Sequence, residues 1–250
     1  MDLGLAGRRA AVAAASSGLG YATAAALQAE GVAVTICDVD RGRVEAAAER
    51  LGTGVTPVVA DLADPDGCEQ FVLDAQEAMG GVDILVTNAP GPPPGTFAQA
   101  RAEDYPKALD LNLLSVVRMC MAAVPAMRER HWGRIVAITS ISVRQPIPNL
   151  ILSNTARAGA TAFLKTLSSE VAADGVTVNS VLPGSHATDR LRSLHGGEEG
   201  LERAAASVPM RRLGDPADFG AVVAFLCSEH ARFVTGAALQ VDGGQYAGLL

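Results

Sequence analysis

Three side chains in one short stretch have the types and spacing to do chemistry. Ser140 follows Ile135-Val-Ala-Ile138, which reads as a buried strand, and so presents a hydroxyl at a strand end. A helix expected from about Ile151 then carries Ser153 and Arg157 one turn apart, on one face. Hydroxyls can polarise a carbonyl by hydrogen bonding, and an arginine, which keeps its charge, can hold an oxyanion. Neither moves protons well. An aliphatic hydroxyl is a far weaker acid than a phenol, which titrates near about 10, and a guanidinium does not deprotonate in proteins. The trio reads as a polarising, anion-holding site that lacks a strong proton donor.

The elements that must position these residues are legible as β-rich runs alternating with helical patterns. Strands are expected over residues 9–14, 32–37, 55–60, 82–87, 135–138, 176–182 and 238–241. Helices are expected from about Tyr21 to Glu30, Arg43 to Leu51, Gly67 to Met79, from Ile151 onward, and from Pro216 to Ser228. A long helix from about Tyr105 to Arg130 should bend or break near Pro125. The alternation predicts an α/β fold: a single-domain, Rossmann-like three-layer sandwich with a parallel seven-stranded sheet and helices on both faces. With no internal repeat or linker, residues 1–250 read as one domain. The polar stretch at residues 185–207 reads as a substrate lid, and Pro90-Gly-Pro-Pro-Pro-Gly95 as a stiff loop, since each proline fixes φ.

Composition narrows the function classes. A hydrophobic content of 49% is enough for one sizeable core. The net charge of −7 is spread without a basic stripe, and aromatics make up only 4%. Nucleic acid is thereby excluded as an expected partner. Cys37, Cys68, Cys120 and Cys227 have no metal-ligand or redox-motif spacing, so they read as core residues in a reducing compartment, with no metal expected. Neither a signal peptide nor an uninterrupted membrane-length apolar run is visible, which points to a soluble cytoplasmic protein without a membrane partner. Eighteen arginines stand against two lysines, Lys107 and Lys165. Compositional drift alone can therefore place an arginine where chemistry would prefer lysine.

A second candidate site lies near the N-terminus. Ser16-Ser17-Gly18-Leu19-Gly20 follows the first strand and opens a helix, with Ala14 four residues before Gly18. Backbone N–H groups at such a helix start bind a pyrophosphate, and glycines allow it close.

In this company the chain resembles a short-chain dehydrogenase/reductase across nearly its whole length. The family's Thr-Gly-x-x-x-Gly-x-Gly motif is similar to the segment from Ala13 to Gly20, with Ala13 and Ala14 in its first two positions. Asp61-Leu62 resembles the adenine-contacting acid after the third strand. Thr87-Asn88-Ala89-Pro90 is similar to the Asn-Asn-Ala-Gly element, and Asn112 to the catalytic-site asparagine. Pro183-Gly184-x-x-x-Thr188 resembles the segment that holds the nicotinamide carboxamide, and Asp242-Gly-Gly the C-terminal turn. Asp38 stands where an acid would bond the adenosine ribose hydroxyls and repel a 2′-phosphate. Arg41 and Arg43 lie nearby, but Ser17 is not basic, so NAD(H) is favoured over NADP(H).

The family places a tyrosine thirteen residues after its serine and a lysine four further on. Counted from Ser140, those positions hold Ser153 and Arg157. Drift could give Arg157, which could hold the nicotinamide ribose or stabilise an oxyanion; drift does not explain the loss of an aromatic ring at position 153. Ser140 and Asn112 could still polarise a carbonyl, and His186, between Gly184 and Thr188, could act as general acid. Tyr105 reads as a helix-start packing residue, and His131 and His195 as solvated surface. The resemblance implies a dimer or tetramer built on paired long helices, acting on a small molecule. Three functions are compatible: an NAD(H)-linked carbonyl or alcohol oxidoreductase, a non-catalytic dinucleotide-binding subunit or sensor, and a non-redox lyase or isomerase on the same fold.

Overall fold

Seven short apolar runs pair side by side and in parallel. They are β1 (Arg9–Val12), β2 (Ala33–Asp38), β3 (Val55–Val59), β4 (Ile84–Thr87), β5 (Gly133–Ile138), β6 (Val176–Pro183) and β7 (Ala238–Val241). The computed structural model describes residues 2–249 apart from the side chain of His195, so the surface reading of that histidine lies outside the described residues. The strand order is β3-β2-β1-β4-β5-β6-β7. A parallel sheet needs cover on both faces, and β1, β4 and β5 accordingly carry almost nothing but buried residues.

The cover comes from α1 (Gly18–Ala29), α2 (Arg41–Leu51), α3 (Pro65–Met79), α4 (Asp104–Leu109), α5 (Ser115–Glu129), α6 (Ile151–Val171), α7 (Asp189–His195), α8 (Glu198–Ser207) and α9 (Pro216–Cys227). On one face Phe71, Met119, Met127 and Leu164 fill a core beneath α3, α5 and α6. On the other, Leu27, Ile36, Val44 and Phe219 fill a core beneath α1, α2 and α9. Side-chain caps at Asp40, Asp64, Thr188 and Asp215 satisfy amides at the starts of α2, α3, α7 and α9.

The chain winds outward from β1 to β3, then returns to lay β4 against the other side of β1. That reversal leaves a crevice beyond the carboxyl ends of β1 and β4, where open α/β sheets bind ligands.

The structure departs from the sequence expectations at the start of α1 and within the long helix. α1 begins at Gly18 rather than Tyr21, so the glycine turn is already its first turn. The long helix is interrupted at a π-helical turn, Asp110–Leu114, while Pro125 sits within an unbroken α5. The extra residue of a π turn re-aims the side chains around it, here Asn112. The stretch Asp104–Glu129 is also long and apolar enough, by length and composition, to cross a membrane. Its charged residues are outweighed by its Val, Met and Ala, and it packs Met119, Cys120, Ala123 and Met127 into the core.

At the amino ends of the central strands β1 and β4, Arg9 donates from Nε (2.8 Å) and Nη2 (2.7 Å) to the Asp83 carboxylate. Burial alone would raise the Asp83 pKa, but Arg9's hydrogen bonds and the charges of Arg9 and Arg130 overcome it and hold the carboxyl below its ordinary value. All four cysteines are buried and unbridged. Burial pushes the thiols of Cys37, Cys120 and Cys227 up to about 12 and that of Cys68 up to about 11.

Candidate active site

The crevice is a cleft of about 750 Å³. One wall is the loop after β1. Asn88, just past β4, donates from Nδ2 to the Ala14 carbonyl (3.1 Å), which ties this loop across the switch point. Ala14 has φ +46°, a left-handed conformation better suited to glycine. A Cβ on Gly20 would lie 2.5 Å from the Ala14 oxygen, so only glycine lets α1 come this near. Ser17 precedes α1 without a side-chain cap, leaving the amides of the first turn to a ligand.

Ala14, Ser16, Ser17, Gly18 and Leu19 line the cleft together with Asp38, Asp61, Leu62, Asn88, Ala89, Pro183, Gly184 and Thr188. Gly20 lies behind them as the spacer just described. The Asp38 carboxylate is already engaged: it accepts from Ser16 Oγ, from the Asp40 amide (2.9 Å) and from Arg43 Nη2 (2.7 Å). Asp61 accepts from the Ala63 amide (2.9 Å).

The second wall holds the hydroxyls. β5 ends at Ile138, and Ser140 has extended backbone, with Oγ accepting from the Ser142 amide (3.0 Å). A hydroxyl that accepts from an amide keeps its own hydrogen to donate. Ser153 and Arg157 project from the first turns of α6 into the same cleft. Asn154 clamps the preceding loop by donating to the Ile147 carbonyl (2.9 Å). The proline loop is held alongside by a short bridge between Gly95 and Leu150.

Arg157 sits differently from a flexible cation. Its Nη1 donates to the carbonyls of Ile138 (3.0 Å) and Thr139 (3.1 Å), and its Nη2 to that of Ala89 (3.1 Å). The fork thus staples the end of β5 to the loop after β4. Burial, with the nearby charge of Arg190, lowers its pKa from the ordinary 12.5 to about 10.

Asn112 does not reach the cleft surface. It stands one layer behind, donating from Nδ2 to the Pro90 carbonyl (3.3 Å), with Oδ1 buried and unpartnered. His186 is buried at 4% exposure; its Nδ1 faces the Gly184 carbonyl (3.2 Å) and its ring meets Phe219 edge-on at 5.2 Å. Burial lowers its pKa, so the imidazole stays neutral near pH 7. Tyr105 starts α4 and is not among the cleft residues. Among the cleft residues that sequence reasoning did not single out is Arg190, from α7, which donates to the Pro92 carbonyl (2.8 Å). In a chain with eighteen arginines, nothing in its spacing sets Arg190 apart.

Chemically, the arrangement offers a phosphate-ready helix start, an engaged carboxylate at one end, and hydroxyls beside a fixed cation at the other. Known proteins share this fold. A family model described as Enoyl-(Acyl carrier protein) reductase matches residues 13–245. The chain is 34% identical over 244 residues to Dehydrogenase/reductase SDR family member 4 of Homo sapiens, covering 96% of this chain and 88% of that one. It is 33% identical over 240 residues to the 3-oxoacyl-[acyl-carrier-protein] reductase FabG of Escherichia coli, covering 96% and 98%. The crystal structure of L-sorbose reductase from Gluconobacter frateurii, complexed with NADPH and L-sorbose, superposes with a TM-score of 0.93 at 32% identity over 100% of both chains. Matched by that model over residues 13–245 and by these relatives over nearly its whole length, the chain belongs to the short-chain dehydrogenase/reductase family.

Proposed function

We propose that this protein is a nicotinamide-dinucleotide-dependent oxidoreductase that interconverts a carbonyl and an alcohol on a small molecule, as a 3-oxoacyl reductase or a related carbonyl reductase does. One observation carries the reading: a single cleft contains both the uncapped start of α1 and the Ser140 hydroxyl, whose hydrogen is free to donate. A dinucleotide laid from α1 toward Pro183–Thr188 brings its nicotinamide beside Ser140 and Ser153. The names of the FabG and L-sorbose reductase relatives point to the same reaction class.

The altered positions change how the proton is supplied. Ser153 is short and weakly acidic, Arg157 is fixed on three carbonyls, and His186 is neutral and packed against Phe219. We assign Ser140 and Ser153 to polarising the carbonyl, Asn112 and Arg157 to holding the cleft's frame, and the proton to water or the substrate itself. NAD(H) is the proposed cofactor because Asp38 meets the adenosine ribose. Arg43 neutralises part of that acid, so the preference over NADP(H) is one of degree. The working form is proposed to be a cytoplasmic homo-oligomer, a dimer or tetramer, joined through the outer faces of α5 and α6. Met121 on α5, 70% exposed, lies on such a face.

A second reading, a dinucleotide-binding subunit or sensor, is favoured by Arg157, whose fork serves main-chain carbonyls rather than a proton relay. The test is NADH and NADPH oxidation across a panel of carbonyl compounds, with cofactor binding measured in parallel. The native chain is compared with a Ser153→Tyr, Arg157→Lys double variant. Turnover by the native chain is expected, rising by about 10²-fold or more in the variant as a general acid is supplied. Tight cofactor binding without native turnover, but with turnover in the variant, would move the assignment to the sensor reading.

A further inference from the structure

We infer that the substrate end of the cleft takes an oxyanion group, a carboxylate or a phosphate, carried by the molecule whose carbonyl is turned over. The inference rests on the reading of the cleft as a dinucleotide and carbonyl site, and it names the substrate class for that site. Two guanidinium groups line this end, Arg157 and Arg190. Among the described residues neither stands in an ion pair with any carboxylate. Arg43 at the other end of the same cleft, by contrast, is paired to Asp38.

Arg190 is held in place over the cleft. Its Nη2 donates to the Pro92 carbonyl, and a Cβ on Gly91 would stand 3.0 Å from that nitrogen. A glycine at position 91 therefore leaves room for the guanidinium to settle against the proline loop. Arg190 is an exposed residue of the cleft rim, and its charge adds to the effect of burial in lowering the pKa of Arg157. Two like charges converging on one partly desolvated cleft are costly unless an anion joins them.

The candidates for that anion can be separated by position. A dinucleotide's pyrophosphate has its own donors at the start of α1. Asp38 ends β2 and Asp61 follows β3, both at the adenosine end, and Asp189, exposed beside the equally exposed Arg190, stands in no ion pair with it. Arg157 bonds the carbonyls just before Ser140 and lies one turn beyond Ser153, so the unbalanced charge surrounds the place where a carbonyl would sit.

Isothermal titration of the NADH-saturated protein at low ionic strength tests this with matched ligands. Acetoacetate is compared with methyl acetoacetate, and dihydroxyacetone phosphate with dihydroxyacetone. At least one charged member is expected to bind about tenfold or more tightly than its neutral partner, as a charge-assisted contact provides. Which one does so separates carboxylate from phosphate. The preference should fall several-fold in Arg190→Gln and persist in Arg192→Gln, whose guanidinium pairs with Glu198 and is not a cleft residue. Equal affinities within both pairs, no binding by any of the four, or a preference unchanged by Arg190→Gln overturns the inference while leaving cofactor binding intact. Failure of NADH itself to bind overturns the reading of the cleft, and this inference with it.

Discussion

Replacing Arg157 with methionine sets two opposing quantities against each other, and the structure gives a size for both. The three bonds to Ile138, Thr139 and Ala89 come from a charged donor. Such bonds contribute about 1.5 kcal/mol each at the low end of their range, so about 4–5 kcal/mol is lost. Methionine also removes a buried charge. A folded pKa of about 10 against an ordinary 12.5 marks a penalty of about 3 kcal/mol for keeping that charge. The net expectation is a destabilisation of about 1–2 kcal/mol, seen as a melting temperature lower by about 2–8 °C for a chain of this size. Arg157→Lys keeps the charge, but one ammonium cannot span carbonyls on both strand ends. It should lose one bond, about 1.5 kcal/mol, and melt a few degrees lower. Thermal denaturation followed by circular dichroism checks both. A methionine variant melting at or above the parent would mean that the staple does not outweigh the cost of burying its charge, and the reasoning would fail.

Two further outcomes are expected. Asp83→Asn breaks a mostly buried pair with Arg9 and should cost about 3 kcal/mol at neutral pH, read by urea denaturation. Because the folded Asp83 pKa lies below its unfolded value of about 3.9, its contribution is complete above that pH and lost as pH falls through the lower folded value. The variant should therefore lose stability less steeply than the parent below about pH 4. Ala14→Gly removes a left-handed backbone penalty of about 1–2 kcal/mol and gives back about 0.5–1 kcal/mol in unfolded-chain entropy. Differential scanning fluorimetry should show a melting temperature raised by one or two degrees, and a fall would mean that the packing of the Ala14 methyl outweighs the strain.

Much of the frame was legible because it depends on local pattern. Apolar runs ending in Asp38 or Asn88, and a glycine turn before an alanine-rich helix, are signals that neighbouring residues send without help from the fold. The register from Ser140 through Ser153 to Arg157 was equally plain, since one strand end and one helix set it. What the sequence did not disclose depends on contacts between distant segments. The aim of Arg157 requires the carbonyl of Ala89, and the seat of Arg190 requires a glycine at position 91 and the oxygen of Pro92. The edge-on packing of His186 requires Phe219 from α9. The break in the long helix was expected at Pro125, the residue with the strongest intrinsic effect. It falls instead at Asp110–Leu114, where no single residue type announces a π turn.

The burial of all four cysteines has a practical consequence. A thiol with a pKa of about 12 holds on the order of one thiolate in 10⁵ molecules at pH 7, against about one in thirty for a free cysteine. Reagents that attack thiolates therefore find almost nothing to react with while the chain is folded. Any labelling that does occur counts the moments when a core segment opens. Cys37 behind the loop after β1 and Cys227 at the end of α9 lie in separate parts of the structure. Mass-resolved alkylation of the unmodified protein would then time the opening of each region separately, without introducing a probe.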